Sequence, residues 1–219
     1  IAAGTAIVAL GKKSVNLYAD YEQLTGGVET LFGKSGDRLM KYANEAYKTA
    51  GLSANEYMET VTSFSASMIK SLGGDTKKAA DYSNQALIDM SDNANKMGSN
   101  MEDIQNAYQG FSKQNYTMLD NLKLGYGGTQ AEMQRLLKDA EKLTGQKYDI
   151  SSFSDITQAI HAIQTEMGIT GTTSKEAATT IQGSAGMMKA SFENFLTGMA
   201  DPEQDFDMLL GNLIDSIVT

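Results

Sequence analysis

Apolar residues recur along this chain in steps of three and four, and seldom in steps of two. Tyr57, Met58, Val61, Phe64, Met68, Ile69 and Leu72 fall on one side of a helix, as do Ala79, Ser83, Ala86, Leu87, Met90, Ala94 and Met97. Met101, Ile104, Tyr108 and Phe111 form a third stripe, and Met133, Leu136, Leu137, Ala140 and Leu143 a fourth. Phe153, Ile156, Ile160, Ile163 and Met167 form a fifth, and Phe206, Leu209, Leu210, Leu213, Ile214 and Ile217 a sixth. That period belongs to helices with one buried face and disfavours strands. The pattern predicts an all-α, multi-helix compact domain with a long N-terminal and a long C-terminal helix.

The polar residues between the stripes mark where helices begin and end. Four Ser/Thr-x-x-Glu pairs predict capping boxes: Ser53 with Glu56, Ser99 with Glu102, Thr129 with Glu132, and Thr173 with Glu176. In such a box the hydroxyl accepts from an orphan N–H while the Glu reaches back to the cap residue. Gly51, Gly73, Gly98, Gly145 and Gly168 each follow a stripe, where a left-handed C-terminal residue is wanted. Asp201-Pro202 predicts one more start, with proline at the first helical position. Asn115 to Gly128 reads as a loop with a short helix at Met118 to Leu122, followed by a flexible LGYGG joint.

Two segments carry a stricter alternation of three and four. One is Ala3, Ile7, Leu10, Ser14, Leu17, Tyr21, Leu24, Val28 and Leu31. The other is Ala178, Ile181, Ala185, Met188, Phe192, Phe195 and Met199. Heptad seams of this kind pack against a long partner helix; the plainer alternative is two long helices inside one bundle. Thr173 to Met199 is expected to be one continuous helix. Ile181, Ala185, Met188, Phe192, Phe195 and Met199 are its candidate docking seam, facing either the N-terminal helix or a second copy of the chain. A free spacer is the other reading of that arm. The expected divisions are residues 1–33 as the end of a preceding helical region, 34–168 as a compact helical domain, and 169–219 as a C-terminal helical arm.

Composition narrows the chemistry. Hydrophobic residues make up 41% of the chain, too many for a disordered one, and a single proline suits helices. The formal net charge is −9 with no basic stripe, so direct nucleic-acid binding is not expected. From Asp201 to Thr219 there are five acids and no Lys or Arg. The chain has no cysteine, which removes disulfides, thiolate nucleophiles and zinc–thiolate sites. The apolar run Ile1 to Leu10 precedes Lys12 and Lys13, the reverse of a signal peptide, and is too short to span a membrane. Because Ile1 is not an initiator methionine, both ends read as cuts inside a longer polypeptide.

No motif arrives with its companions. The only histidine, His161, sits beside the Ile160 stripe and reads as a boundary or surface residue rather than a base or metal ligand. Gly125-Tyr126-Gly127-Gly128 lacks the Lys-Ser/Thr ending and the preceding strand of a phosphate loop, and reads as a hinge or helix-entry turn. Ser67-Met68-Ile69-Lys70 lacks the partner motifs of penicillin-binding enzymes. The Asp and Glu residues are expected mostly on polar faces or in first turns. The chain is therefore expected not to be an enzyme, and no catalytic, cofactor-binding or metal residue is nominated. Among the 13 methionines, Met58, Met68 and Met90 are expected in the core, while Met187, Met188 and Met199 are left between core and an adaptable binding surface.

Running stretches of the chain resemble a known family. They are YEQLTGGVETLFG (Tyr21 to Gly33), GLSANEYMETVTSFSASMIKSLGGD (Gly51 to Asp75), DMSDNANKMG (Asp89 to Gly98), YQGFSKQNYTMLDNLKLGYGGTQAEMQRLL (Tyr108 to Leu137) and GTTSKEAATTIQGSAGMMKASFENFLTGMADP (Gly171 to Pro202). Together they cover most of the chain and resemble the internal helical region of phage tail tape measure proteins. The resemblance implies a structural protein that sets tail length and leaves the tube ahead of the DNA at ejection. It implies the tail tube protein, tail assembly chaperones and distal tail proteins as partners, alongside possible self-association. It implies residence in the virion tail lumen after assembly in the bacterial host cytoplasm, in a phage, a prophage or a tail-derived bacteriocin. A helical ruler measures at ~1.5 Å per residue; the caps and glycine stops point instead to a folded domain within such a ruler. The alternative is a secreted helical effector or a membrane-active, pore-forming segment built on amphipathic helices.

Overall fold

A computed structural model describes residues 2–177, 179 and 181–218; the side chains of 2–7, 181, 182 and 218 lie outside the description. All regular structure among the described residues is helical. The order is α1 (Ala2–Phe32), α2 (Gly36–Thr49), α3 (Ala54–Ser71), α4 (Thr76–Met97), α5 (Met101–Ser112), α6 (Gln130–Thr144), α7 (Phe153–Glu166), α8 (Thr172–Ala177), α9 (Ile181–Gly198) and α10 (Phe206–Val218). Short 3-10 turns lie at Gly33–Ser35 and Leu119–Leu122.

The five middle stripes close on one another. Tyr57, Met58, Val61, Phe64 and Met68 of α3 meet Ala79, Leu87 and Met90 of α4, Ile104, Tyr108 and Phe111 of α5, Met133 and Leu136 of α6, and Phe153, Ile156 and Ile160 of α7 in one core. α1 joins it through Val28 and Phe32. So does α2, through Leu39, Ala43 and Ala46. Each fully buried Val, Leu, Ile, Phe or Met among them contributes ~1.5–3 kcal/mol by removal from water. The α1 seam holds from Ser14 to Leu31, where its residues are buried or half-buried, while Leu10 is exposed and Ala3 and Ile7 lie outside the described side chains.

The expected stops hold at all five glycines, which sit at φ between +61° and +72°, where a side chain costs strain. The starts hold in part. At Ser53 both halves of the box form: Glu56 N–H donates to Ser53 Oγ, and Ser53 N–H to Glu56 Oε2 at 2.8 Å. At Thr129 the hydroxyl accepts from Glu132 N–H, but the Glu132 carboxylate turns to Gly127 N–H and Arg135. Ser99 is not a cap; Asn100 takes that place, accepting from Glu102 N–H, and Ser99 Oγ reaches toward the Asn121 carbonyl instead. Thr173 already lies inside α8. Pro202 lies in a turn, and α10 opens four residues later with Asp205 accepting from Met208 N–H.

The LGYGG segment is clasped rather than free. Arg135 lies over the Tyr126 ring, 4.3 Å from its centroid, and donates to the Gly125 carbonyl. Gly128 sits so close to the Thr117 carbonyl that a Cβ there would clash. The expected continuous helix from Thr173 to Met199 is also corrected. It is two helices, α8 and α9, with Thr179 in a turn between them. Gly183 lies against the Glu176 carbonyl, so closely that any side chain would collide with α8 backbone.

Candidate functional site

Two arrangements stand out against this fold, one buried and one exposed. The buried one lies where α4 faces α7 and α8. Asp89, Asp92 and Asn93 of α4 are each fully buried, against the expectation that acids keep to polar faces and first turns. His161 Nδ1 lies 2.8 and 3.0 Å from the two Asp89 oxygens, and Gln85 Nε2 donates to Asp89 Oδ1. Asn93 donates to the Leu122 carbonyl and to Gln164 Oε1, and Gln164 donates back to the Asp89 carbonyl. Asp92 accepts from Gly171 N–H at 2.6 Å and Thr173 N–H at 2.8 Å, and so holds the start of α8. The hydrogen bond from Asp89 raises the His161 pKa, while burial pushes the Asp89 carboxyl up against the pull of His161. Every partner in this network is a backbone group or a neighbouring side chain, so its evident work is to lock four segments together. His161 is half-buried, at the boundary where the stripe placed it.

The exposed arrangement belongs to α9 and α10. α9 lies between α1 and α10, and also touches α2, α3 and α8. Its inward side docks largely through polar groups. Ser14 Oγ of α1 donates to the Leu196 carbonyl, and Asn194 Oδ1 accepts the orphan Ala54 N–H at the start of α3. Lys13 faces Glu193 at 4.0 Å and Lys189 faces Glu56 at 3.8 Å. The apolar share is Leu196, which is buried, with Met187 and Ala190, which meet Tyr47 and Ala177 in a cluster separate from the main core. α10 is tied on by a Ser191–Ser216 hydrogen bond at 2.7 Å and by buried Leu209.

The predicted seam points the other way. Ala185, Met188, Phe192 and Met199 are exposed, Phe195 is half-buried, and Ala178 and the side chain of Ile181 lie outside the described residues. The seam therefore does not dock on α1, which meets α9 through Ser14, Lys13 and the flank carrying Glu193 and Leu196. Beside it runs a second stripe on α10, Phe206, Leu210, Ile214 and Ile217, exposed by 36–62%. The Phe195 and Phe206 rings, 5.3 Å apart, join the two stripes. Of the fourteen large apolar side chains exposed among the described residues, eight lie in α9, α10 or the turn between them, a concentration that marks an interaction surface rather than scattered exposure.

Met188 and Met199 thus belong to the surface and Met187 to the inside. Periodicity located the stripe but had no access to which side the body would take. Among the described residues no cluster of three or more metal-ligating side chains occurs, and no helix is long and apolar enough to cross a membrane. Compared with known proteins, the chain matches no family model, no curated protein and no solved structure.

Proposed function

We propose that this chain is a non-catalytic assembly segment of a phage-type tail tape measure protein, acting through helix contacts with other tail components. The observation that carries the assembly reading is the uncovered Met/Phe/Ile face of α9 and α10 on a body whose helices α2 to α7 close on one core. The tail assignment is supported by the running resemblance of the stretches from Tyr21 to Pro202. In that setting the segment helps set tail length, contacts the tube protein, tail chaperones and distal tail proteins, and departs ahead of the DNA.

The test is made on tails. Mass spectrometry of purified particles from the source organism should find peptides of this chain. In-frame removal of its 219 residues from the parent gene should shorten or abolish the tails seen by electron microscopy. Tails of unchanged length and infectivity after the deletion would overturn the assignment. The membrane-active reading is favoured by the same exposed apolar stripes and is separated by dye release: the chain should leave vesicles intact.

A further inference from the structure

The hairpin of α9 and α10 buries Met187, Ala190, Leu196 and Leu209 yet leaves a larger set of apolar side chains facing solvent, and its charges are one-sided. From Ile181 to Thr219 there are six acids and one base, Lys189. Lys189 lies 3.8 Å from Glu56 and Glu193 lies 4.0 Å from Lys13, with both lysine side chains at least half exposed. Glu203, Asp205 and Asp207 stand exposed at the start of α10, beside Phe206 and Leu210. The uncovered stripe is therefore flanked by negative charge at the start of α10. Its large side chains, each about half uncovered, present on the order of 700 Å², close to the roughly 800 Å² per partner of a stable interface.

We infer that this face is a docking site for a basic amphipathic helix, one apolar stripe flanked by lysines or arginines, supplied by another protein. The inference rests on the reading of the chain as an assembly segment, and not on its placement in a tail. Charge decides between occupants. A second copy would set the acidic border of one hairpin against that of the other. An anionic membrane surface would be repelled by it. A helix with apolar residues at i, i+3/i+4 and i+7 and a basic border satisfies both the stripe and its rim. Phe192 and the Phe195–Phe206 pair are the aromatic anchors of the site.

The experiment uses the full chain and three synthetic helical peptides read by fluorescence anisotropy. One has a leucine stripe with a lysine border, one the same stripe with a glutamate border, and one the lysine composition scrambled so that no stripe forms. The lysine-bordered peptide should bind at least about tenfold more tightly than either other peptide at low salt, with the gap narrowing as salt screens the rim. Phe192→Ser with Ile214→Ser should weaken it about tenfold or more while the chain melts as the parent does. Asp205→Asn with Asp207→Asn, which keeps the α10 cap, should weaken only the lysine-bordered peptide.

Equal binding of the scrambled peptide, or of the glutamate-bordered one, would overturn the inference. So would a dimer of the free chain that Phe192→Ser with Ile214→Ser dissociates, which would make a second copy the occupant. Vesicle binding lost in the same variant would instead assign the face to lipid. Failure of the peptides with shortened tails after deletion would leave the assembly reading standing without this partner; unchanged tails with peptide binding would do the reverse.

Discussion

α3 and α9 are each 18 residues long, and both carry Met and Phe at helical spacing. α3 opens on a complete capping box and buries Tyr57, Met58, Val61, Phe64 and Met68 in the main core. α9 turns Met188, Phe192 and Met199 to solvent and meets its neighbours with Met187, Ala190 and Leu196 together with Ser191, Asn194 and the flanking charges. A stripe of apolar residues thus says that a helix has a partner. It does not say that the partner is in the same chain.

The largest effect that should separate the two helices is at their aromatic residues. Phe64→Ala should cost about 3–5 kcal/mol, because a fully enclosed ring leaves a cavity, and should lower the urea midpoint accordingly. A loss under about 1 kcal/mol would mean that α3 is no better packed than α9. Next comes the buried pair that fastens α4 to α7. His161→Ala leaves the Asp89 carboxylate buried without its charged partner, and should cost about 3 kcal/mol near neutral pH.

The same pair sets a pH dependence. The folded state holds the His161 proton more tightly than the unfolded one, because Asp89 raises its pKa. That contribution is full below pH ~6.5 and is lost as pH rises through the folded value. Thermal melts should therefore show the parent falling relative to His161→Gln above about pH 6.5; parallel profiles would remove the coupling. A smaller step is expected at the α3 start, where Ser53→Ala should cost about 1 kcal/mol by loss of the cap. The smallest is Phe192→Ser, within about 0.5 kcal/mol of the parent in the free chain. A loss of several kcal/mol there would erase the contrast and place the ring in a core.

Much of the body was legible because local chemistry and tertiary packing agree in it. The stripes of α3 to α7 fall on the core, and five glycines end helices where a left-handed residue is needed. α2 was passed over although Leu39, Ala43 and Ala46 carry the period. Asp89 and Asp92 depart from the expectation because composition alone assigns acids to water. Their spacing, beside Ala86 and Met90, was the available signal that they share the buried face. The break after Ala177 escaped notice because a seam of threes and fours can run on in sequence while the backbone reverses, and only the close approach of Gly183 to α8 records it. The docking seam is legible as a seam, but whether it faces α1 or a second copy of the chain is not, since direction depends on contacts such as Ser14 to Leu196, 182 positions apart.

The Asp92 carboxylate, holding the first N–H groups of α8, has a mechanical meaning. A pull on the C-terminal end would strip α10 from α9 and α9 from α1 first, because those contacts lie outside the main core. The load would then reach Gly171 and Thr173, where two short charge-assisted bonds anchor α8 to the middle of α4. About forty residues could be drawn out, on the order of 140 Å of extended chain, before the tension met the main core. The body would behave as a bead on a tether with a built-in stop.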